Sequence, residues 1–214
     1  MANKITKEET YISNVLKLHP EIRISERLGK GNNGIAYLLE NGNVLKITHD
    51  HEEYATATIL KNKQLRHIIN IYDCWCLKYD NEAHSNTLFA IIEEYIDTNS
   101  RIDIIRKFVS VFKHAWFSIY FSDIEPKRNA TFDNLDEYMR HPQQYSNAIN
   151  FTKHYIISEG EKYGLQDEFN SMYDQLAYAY LELYQNAPNS HLDLNDGNIG
   201  FTPGNDILKI FDIQ

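Results

Sequence analysis

Gly29-Lys30-Gly31-Asn32-Asn33-Gly34 constrains the fold more than any other stretch, because glycines at this spacing let backbone amides approach an anion with no side chain intervening. Its setting matters more than its spelling. Ile22 to Leu28 before it and Ile35 to Glu40 after it are both strand-like, and Asn41-Gly42 separates the second run from a third, Val44 to Thr48. Asn-Gly between two such runs specifies a tight hairpin. The glycines therefore lie between strands. A dinucleotide-binding run leads from strand into helix, so that architecture is excluded. A phosphate-cradling strand loop and an ordinary glycine-rich hairpin both remain.

The rest of the chain sorts around this hairpin. Thr6 has capping-box spacing to Glu9 and opens a helix to about His19, before Pro20. Asp50 is placed to cap a helix through Glu52, Glu53, Ala57 and Leu60 toward Lys63. Ile68 to Leu77 and Thr87 to Tyr95 are rich in β-branched and aromatic residues and read as two more strands, joined by a polar loop from Asp80 to Asn86. Beyond Asp97 helical spacing takes over at Ile104, Ile105, Phe108, Val109 and Phe112. From Trp116 to Asn150 no clean period is visible, and Pro126 and Pro142 interrupt any long helix. The clearest helix is Asp167 to Gln185, with Phe169, Met172, Tyr173, Leu176, Tyr180 and Leu183 on one face. Ile199 to Phe201, a Thr202-Pro203-Gly204-Asn205 turn and Ile207 to Ile210 form a short hairpin. The expected fold is α+β and two-lobed: residues 1–98 as a five-stranded antiparallel lobe with an N-terminal helix, and residues 99–214 as a reduced helical lobe.

Composition narrows the function classes. The formal charge of -9 over 214 residues opposes a broad nucleic-acid surface, which needs clustered Lys and Arg. Apolar windows such as Leu88 to Ile92 are too short to span a bilayer, and the charged N-terminus lacks the apolar core of a signal sequence, so a cytoplasmic location is expected. Cys74 and Cys76 are the only cysteines, and two residues apart on a strand they read as buried free thiols ahead of a metal-binding pair, for which the chain offers no obvious second half.

Two further segments carry chemistry. Lys46, in Val44-Leu45-Lys46-Ile47, stands on the third strand among apolar residues, where it can hold phosphate or, on an edge strand, simply face water. His191-Leu192-Asp193-Leu194-Asn195-Asp196-Gly197-Asn198, then a hairpin and Phe211-Asp212, supplies a carboxylate to deprotonate a hydroxyl, with an amide and a second carboxylate to hold a hard cation. Taken singly, Asp196-Gly197-Asn198 also suits a plain turn and Asp212 a solvated carboxylate.

In this order, a glycine loop between strands, a third-strand Lys, a helix with a Glu, two strands, a helical region, His-x-Asp-x-x-x-x-Asn, a hairpin and Asp, the chain resembles the protein kinase family. The catalytic-loop pattern is also similar to that of the aminoglycoside and choline kinase relatives. The resemblance implies ATP and Mg2+ in a cleft between the lobes. Gly29, Lys30, Gly31, Asn32, Asn33 and Gly34 would cover the nucleotide, and Lys46 would hold its phosphates. Glu94 to Ile96, including Glu94 and Ile96 themselves, would be the adenine hinge, Asp193 the catalytic base, Asn198 and Asp212 the magnesium ligands, and His191 a structural residue. The family's lysine-pairing Glu falls on Thr56 here, so Glu53, one turn earlier, is taken as the partner, with Glu52 in reserve.

Asn195 stands where protein kinases carry a phosphate-contacting Lys, and Leu192 replaces an Arg. Asp212-Ile213-Gln214 replaces Asp-Phe-Gly, and a chain ending there would lack an activation segment. The resemblance implies phosphoryl transfer to a hydroxyl, as a serine/threonine-protein kinase ahead of a small-molecule kinase. A pseudokinase that grips a partner is the alternative from another class, and AMP transfer is a third.

Overall fold

A computed structural model describes residues 7–31, 33–78, 87–121, 143, 146–204, 206–211 and 213, without the side chains of 7–9 and 116–121. It is α+β, and the chain divides into two compact units, Met1–Gln64 with Asn70–Tyr95, and Leu65–Ile69 with Ile96–Gln214. The sequence pattern places a single division at 98/99 and gives no sign of the excursion of 65–69 into the second unit.

The first unit contains α1 (Lys7–Leu18), β1 (Ile24–Lys30), β2 (Gly34–Leu39), β3 (Val44–Thr48), α2 (His51–Leu60), β4 (Ile71–Lys78) and β5 (Leu88–Glu93). The strands form one antiparallel sheet in the order β1-β2-β3-β5-β4. Alternation sends Ile35, Tyr37, Leu39, Leu45, Ile47, Leu88, Ala90 and Ile92 to one face, where Tyr11, Ile12 and Val15 of α1 pack over them. Lys46 points to the opposite face, in register with Ala36 and Ile91. Each large side chain buried in such a core contributes about 1.5–3 kcal/mol. Every residue of β5 is buried, which is why Leu88 to Ile92 read as an unbroken apolar run.

Local signals in this unit match their structures. Gly42 takes φ +85 in the expected turn. Asp50 accepts from the N–H groups of Glu52 and Glu53 at 2.9 and 3.1 Å, satisfying two orphan donors of α2. The expectation of two buried thiols is corrected: Cys74 is buried and within 3.6 Å of the Thr58 hydroxyl, but Cys76, further along the edge strand β4, is exposed.

The second unit contains α3 (Ile102–Phe121), α4 (Ser146–Tyr163), α5 (Gln166–Asn186), β6 (Ile199–Phe201) and β7 (Leu208–Ile210). Phe108 and Phe169 meet edge to face at 5.6 Å, with Ile105, Ile156, Leu176 and Leu183 fully buried around them. Helix α4 has no counterpart in the sequence pattern. Its buried stripe is Ala148, Thr152, Ile156 and Gly160, and a Cβ on Gly160 would lie 3.1 Å from both the Leu165 carbonyl oxygen and the Phe169 ring. Gly164, at φ +68, ends it, with the Leu165 N–H returning to the Gly160 carbonyl at 2.8 Å.

Leu65–Ile69 is held in this unit at both backbone and side-chain level. Ile68 bridges Ile210 in parallel, the Ile69 N–H donates to Ile210 at 3.0 Å, and the Ile210 N–H donates to His67 at 3.0 Å. The Glu182 carboxylate accepts from the N–H groups of Arg66 and His67 at 3.0 and 2.7 Å, and the buried Lys209 ammonium donates to the carbonyls of Leu65 and Ile68 at 2.9 and 3.3 Å. Among the described residues no helix is long and apolar enough to cross a membrane.

Candidate functional site

In the first unit the structure brings Lys46 and Glu53 together as an ion pair, with 17% and 7% of their side-chain surfaces exposed. Strand β3 lies inside the sheet, so the edge-strand reading of Lys46 does not hold. Asp50 starts α2 immediately before the sheet-facing turn that carries Glu53, whereas Glu52 is exposed. Glu53 is therefore the partner and Glu52 is not.

The glycine run closes a hairpin: Gly29 and Lys30 pair with Ala36 and Ile35, and the Gly31 N–H donates to the Gly34 carbonyl at 2.9 Å. Asn32 lies outside the described residues. The three glycines differ in what demands them. A Cβ on Gly34 would lie 2.6 Å from the Ile47 carbonyl oxygen, so β3 itself requires glycine there. Gly29 and Gly31 have no neighbour within 4 Å of a Cβ and no positive φ, so neither space nor conformation in the described protein requires glycine at those positions. Asn33 ties the loop to α2: its Nδ2 donates to Asp50 Oδ2 at 3.0 Å while Asp50 Oδ1 caps the helix, and its carbonyl accepts from the His49 N–H at 2.8 Å. Sequence reasoning missed this link, which joins two turn residues separated along the chain.

Of the hinge candidates, Glu94 belongs to the first unit and Ile96 to the second. The Glu94 N–H donates to the Asn70 carbonyl at 2.9 Å and its carboxylate accepts from Asn70 Nδ2 at 2.7 Å, while Ile96 is buried.

In the second unit the loop 191–198 is ordered by its own amides. Asp193 is exposed, and its Oδ2 accepts from Asn195 Nδ2 at 2.9 Å and from Asn198 Nδ2 at 3.0 Å. Asn198 is buried, its Nδ2 also reaches the Asp193 carbonyl at 3.1 Å, and its own carbonyl accepts from the Phe211 N–H at 3.0 Å. Leu192 bridges Ile213, and His191 is exposed. Asp212 lies outside the described residues. The nitrogen of the Asn198 amide is committed to Asp193, so the oxygen is the end available to a hard cation, a donor type that suits Mg2+. Among the described residues no group of three or more His, Cys, Asp or Glu side chains is arranged to hold a metal by itself.

The Asn195 contact to Asp193 was also missed. Its signal was local, since Asn-x-Gly favours the Asx turn in which Asn195 Oδ1 accepts from the Gly197 N–H at 2.8 Å. Two cavities of the second unit, about 470 and 710 Å³, are lined by residues such as Arg101, Phe201, Tyr178 and Gln175, and include neither Asp193 nor Asn198. The chemistry of the loop, not concavity, makes it the candidate. No protein-family model matches this chain, and comparison with curated proteins gives no match either.

Proposed function

We propose that this chain is an ATP-dependent phosphotransferase with a protein-kinase-like fold, passing the γ-phosphate to a hydroxyl, on Ser or Thr of a protein ahead of a small molecule. The observation that carries the reading is the Lys46–Glu53 pair on an inner strand. Two charges nearly free of water contribute little net stability compared with apolar residues of the same size, so their presence calls for a use. An ammonium held by a carboxylate has one in contacting phosphate oxygens. Gly29 and Gly31, which the fold does not require, are suited to close phosphate approach.

In the proposed reaction the acceptor hydroxyl loses its proton to Asp193 while its oxygen bonds to the γ-phosphorus. The bond from that phosphorus to the β,γ-bridging oxygen breaks, and ADP carries away the electron pair. Asn198 and Asp212 would hold Mg2+, whose chemistry is to neutralise charge on the phosphate oxygens. Asn198 also orients Asp193.

One observation favours a second reading, a pseudokinase that acts as a binding module: the neutral amide of Asn195, not a cation, occupies the position beside Asp193. Melting with and without MgATP, together with intact mass after incubation with MgATP and lysate, separates the two. Phosphotransfer requires stabilisation by MgATP that Lys46→Ala reduces, and mass transfer that Asp193→Asn lowers by about 10²- to 10⁴-fold while nucleotide binding persists. Binding without any transfer selects the pseudokinase, and absence of both rejects the nucleotide site.

A further inference from the structure

We propose that Asn195 is a positioning residue. With Asn198 it holds the Asp193 carboxylate by a single oxygen, Oδ2, so that Oδ1 is the oxygen that takes the acceptor's proton. The inference rests on the phosphotransfer reading for its chemical meaning.

An exposed aspartate rotates about a broad, roughly two-fold terminal torsion, and its two oxygens are then equivalent. Asp193 is exposed, yet two N–H donors from different residues converge on Oδ2, at 2.9 and 3.0 Å, and among the described residues Oδ1 receives none. Asn195 is itself fixed. Its Oδ1 accepts from the Gly197 N–H at 2.8 Å and its backbone N–H donates to the Asp193 carbonyl at 3.0 Å, so the side chain spans a closed turn with the amide nitrogen directed back at the base. A Cβ on residue 197 would lie 3.0 Å from Asn195 Oδ1, so glycine there leaves the amide its place. The other carboxylate of the loop, Asp196, is paired with Arg106 of α3, whose Nε lies 3.1 Å from Asp196 Oδ2.

The consequence is a trade within one side chain. In the resembling family this position supplies a cation to the phosphate, whereas here it orients the base. Proton transfer is sensitive to such placement, because small misalignment of a catalytic group costs rate without weakening binding.

Asn195→Asp separates the two things Asn195 does. It preserves an oxygen for the Gly197 N–H and replaces the donor to Asp193 with a second anion. On the full chain we expect kcat to fall about 10- to 100-fold with KM for ATP unchanged. The acid limb of the kcat profile should also move to higher pH, because two carboxylates at hydrogen-bonding distance share a proton. Asn195→Ala should lower kcat without moving that limb. An Asn195→Asp enzyme with wild-type kcat and pH profile would show that only the turn matters and overturn the proposal.

A second measurement does not depend on activity. The side-chain amide resonance of Asn195 should respond to Asp193→Ala, which removes the acceptor of its N–H, by a change in chemical shift and faster hydrogen exchange. An unresponsive amide overturns the clamp. A responsive amide together with a wild-type chain that transfers no phosphate confirms the clamp, rejects phosphotransfer and overturns the part of Asn195 in proton transfer.

Discussion

Removing one member of the Lys46–Glu53 pair should cost far more than removing both. With side-chain exposures of 17% and 7%, neither charge is well solvated, so Glu53→Leu or Lys46→Met each strips a poorly hydrated ion of its counter-charge. Such losses are about 3–5 kcal/mol. At about 2–4 °C per kcal/mol for a chain of this size, each single variant should melt roughly 6–20 °C below wild type. The double variant Lys46→Met/Glu53→Leu relieves both desolvation penalties and fills the space with apolar atoms, so it should return to wild-type stability or exceed it by about 1–4 kcal/mol. Function should not return with it. MgATP at about a hundred times its dissociation constant stabilises a binding protein by about 2.7 kcal/mol, and that increment should be absent from the double variant. Denaturant melts of the four proteins, with and without millimolar MgATP, give both quantities. Single variants that cost under about 1 kcal/mol would show a pair screened by water. A double variant that kept the MgATP increment would remove Lys46 from the phosphate site.

Gly34→Ala should destabilise the first unit by about 1–3 kcal/mol, because its Cβ meets the Ile47 carbonyl oxygen at 2.6 Å. Gly31→Ala should leave stability unchanged and weaken MgATP stabilisation, a contrast readable in one thermal-shift plate. Glu182→Ala, which frees the N–H groups of Arg66 and His67, should cost about 2–4 kcal/mol and accelerate hydrogen exchange at those two amides first. The Asp97 carboxyl is held below the usual aspartate range by the Ser100 and Asn99 N–H groups, which Oδ1 accepts at 2.9 Å each. Its contribution is therefore complete above the ordinary aspartate value and is lost as pH falls through the depressed one. Asp97→Asn should flatten that part of the stability profile below about pH 4, measured against wild type.

Features decided by neighbours in sequence were legible from the sequence. Asp50 as a cap, Asn41-Gly42 as a turn and the apolar face of α5 each depend on residues within a turn or two, and each appears where its pattern placed it. Glu53 was legible for the same reason, lying one turn before the residue where the family pattern looks for it. Helix α4 was not, because Ile156 is the one large apolar residue of its buried stripe, Ala148, Thr152 and Gly160 being small, with Thr152 bonding back to the Ala148 carbonyl, and this leaves no apolar period to read. Ile68 and Ile69 read as strand because they are apolar and β-branched, yet β4 begins at Ile71. What captures Leu65–Ile69 is Glu182 and Lys209, more than a hundred residues later, and no local pattern announces such a partner. At the loop, Asn195 was noticed as a missing cation, and its own bond to Asp193 needed coordinates to be seen.

The excursion of Leu65–Ile69 also decides how the chain can be divided. A fragment beginning at Ile96 would keep Glu182, Lys209 and the outer edge of β7 without the backbone that satisfies them, while a fragment ending at Tyr95 would carry Ile68 and Ile69, now 0% and 4% exposed, into water. Neither half is a transplantable module. Recombination, fusion or limited proteolysis that cuts once near residue 95 should yield two insoluble pieces. A helical half intended to stand alone would need the five residues from Leu65 grafted onto it as an extra strand beside Ile210.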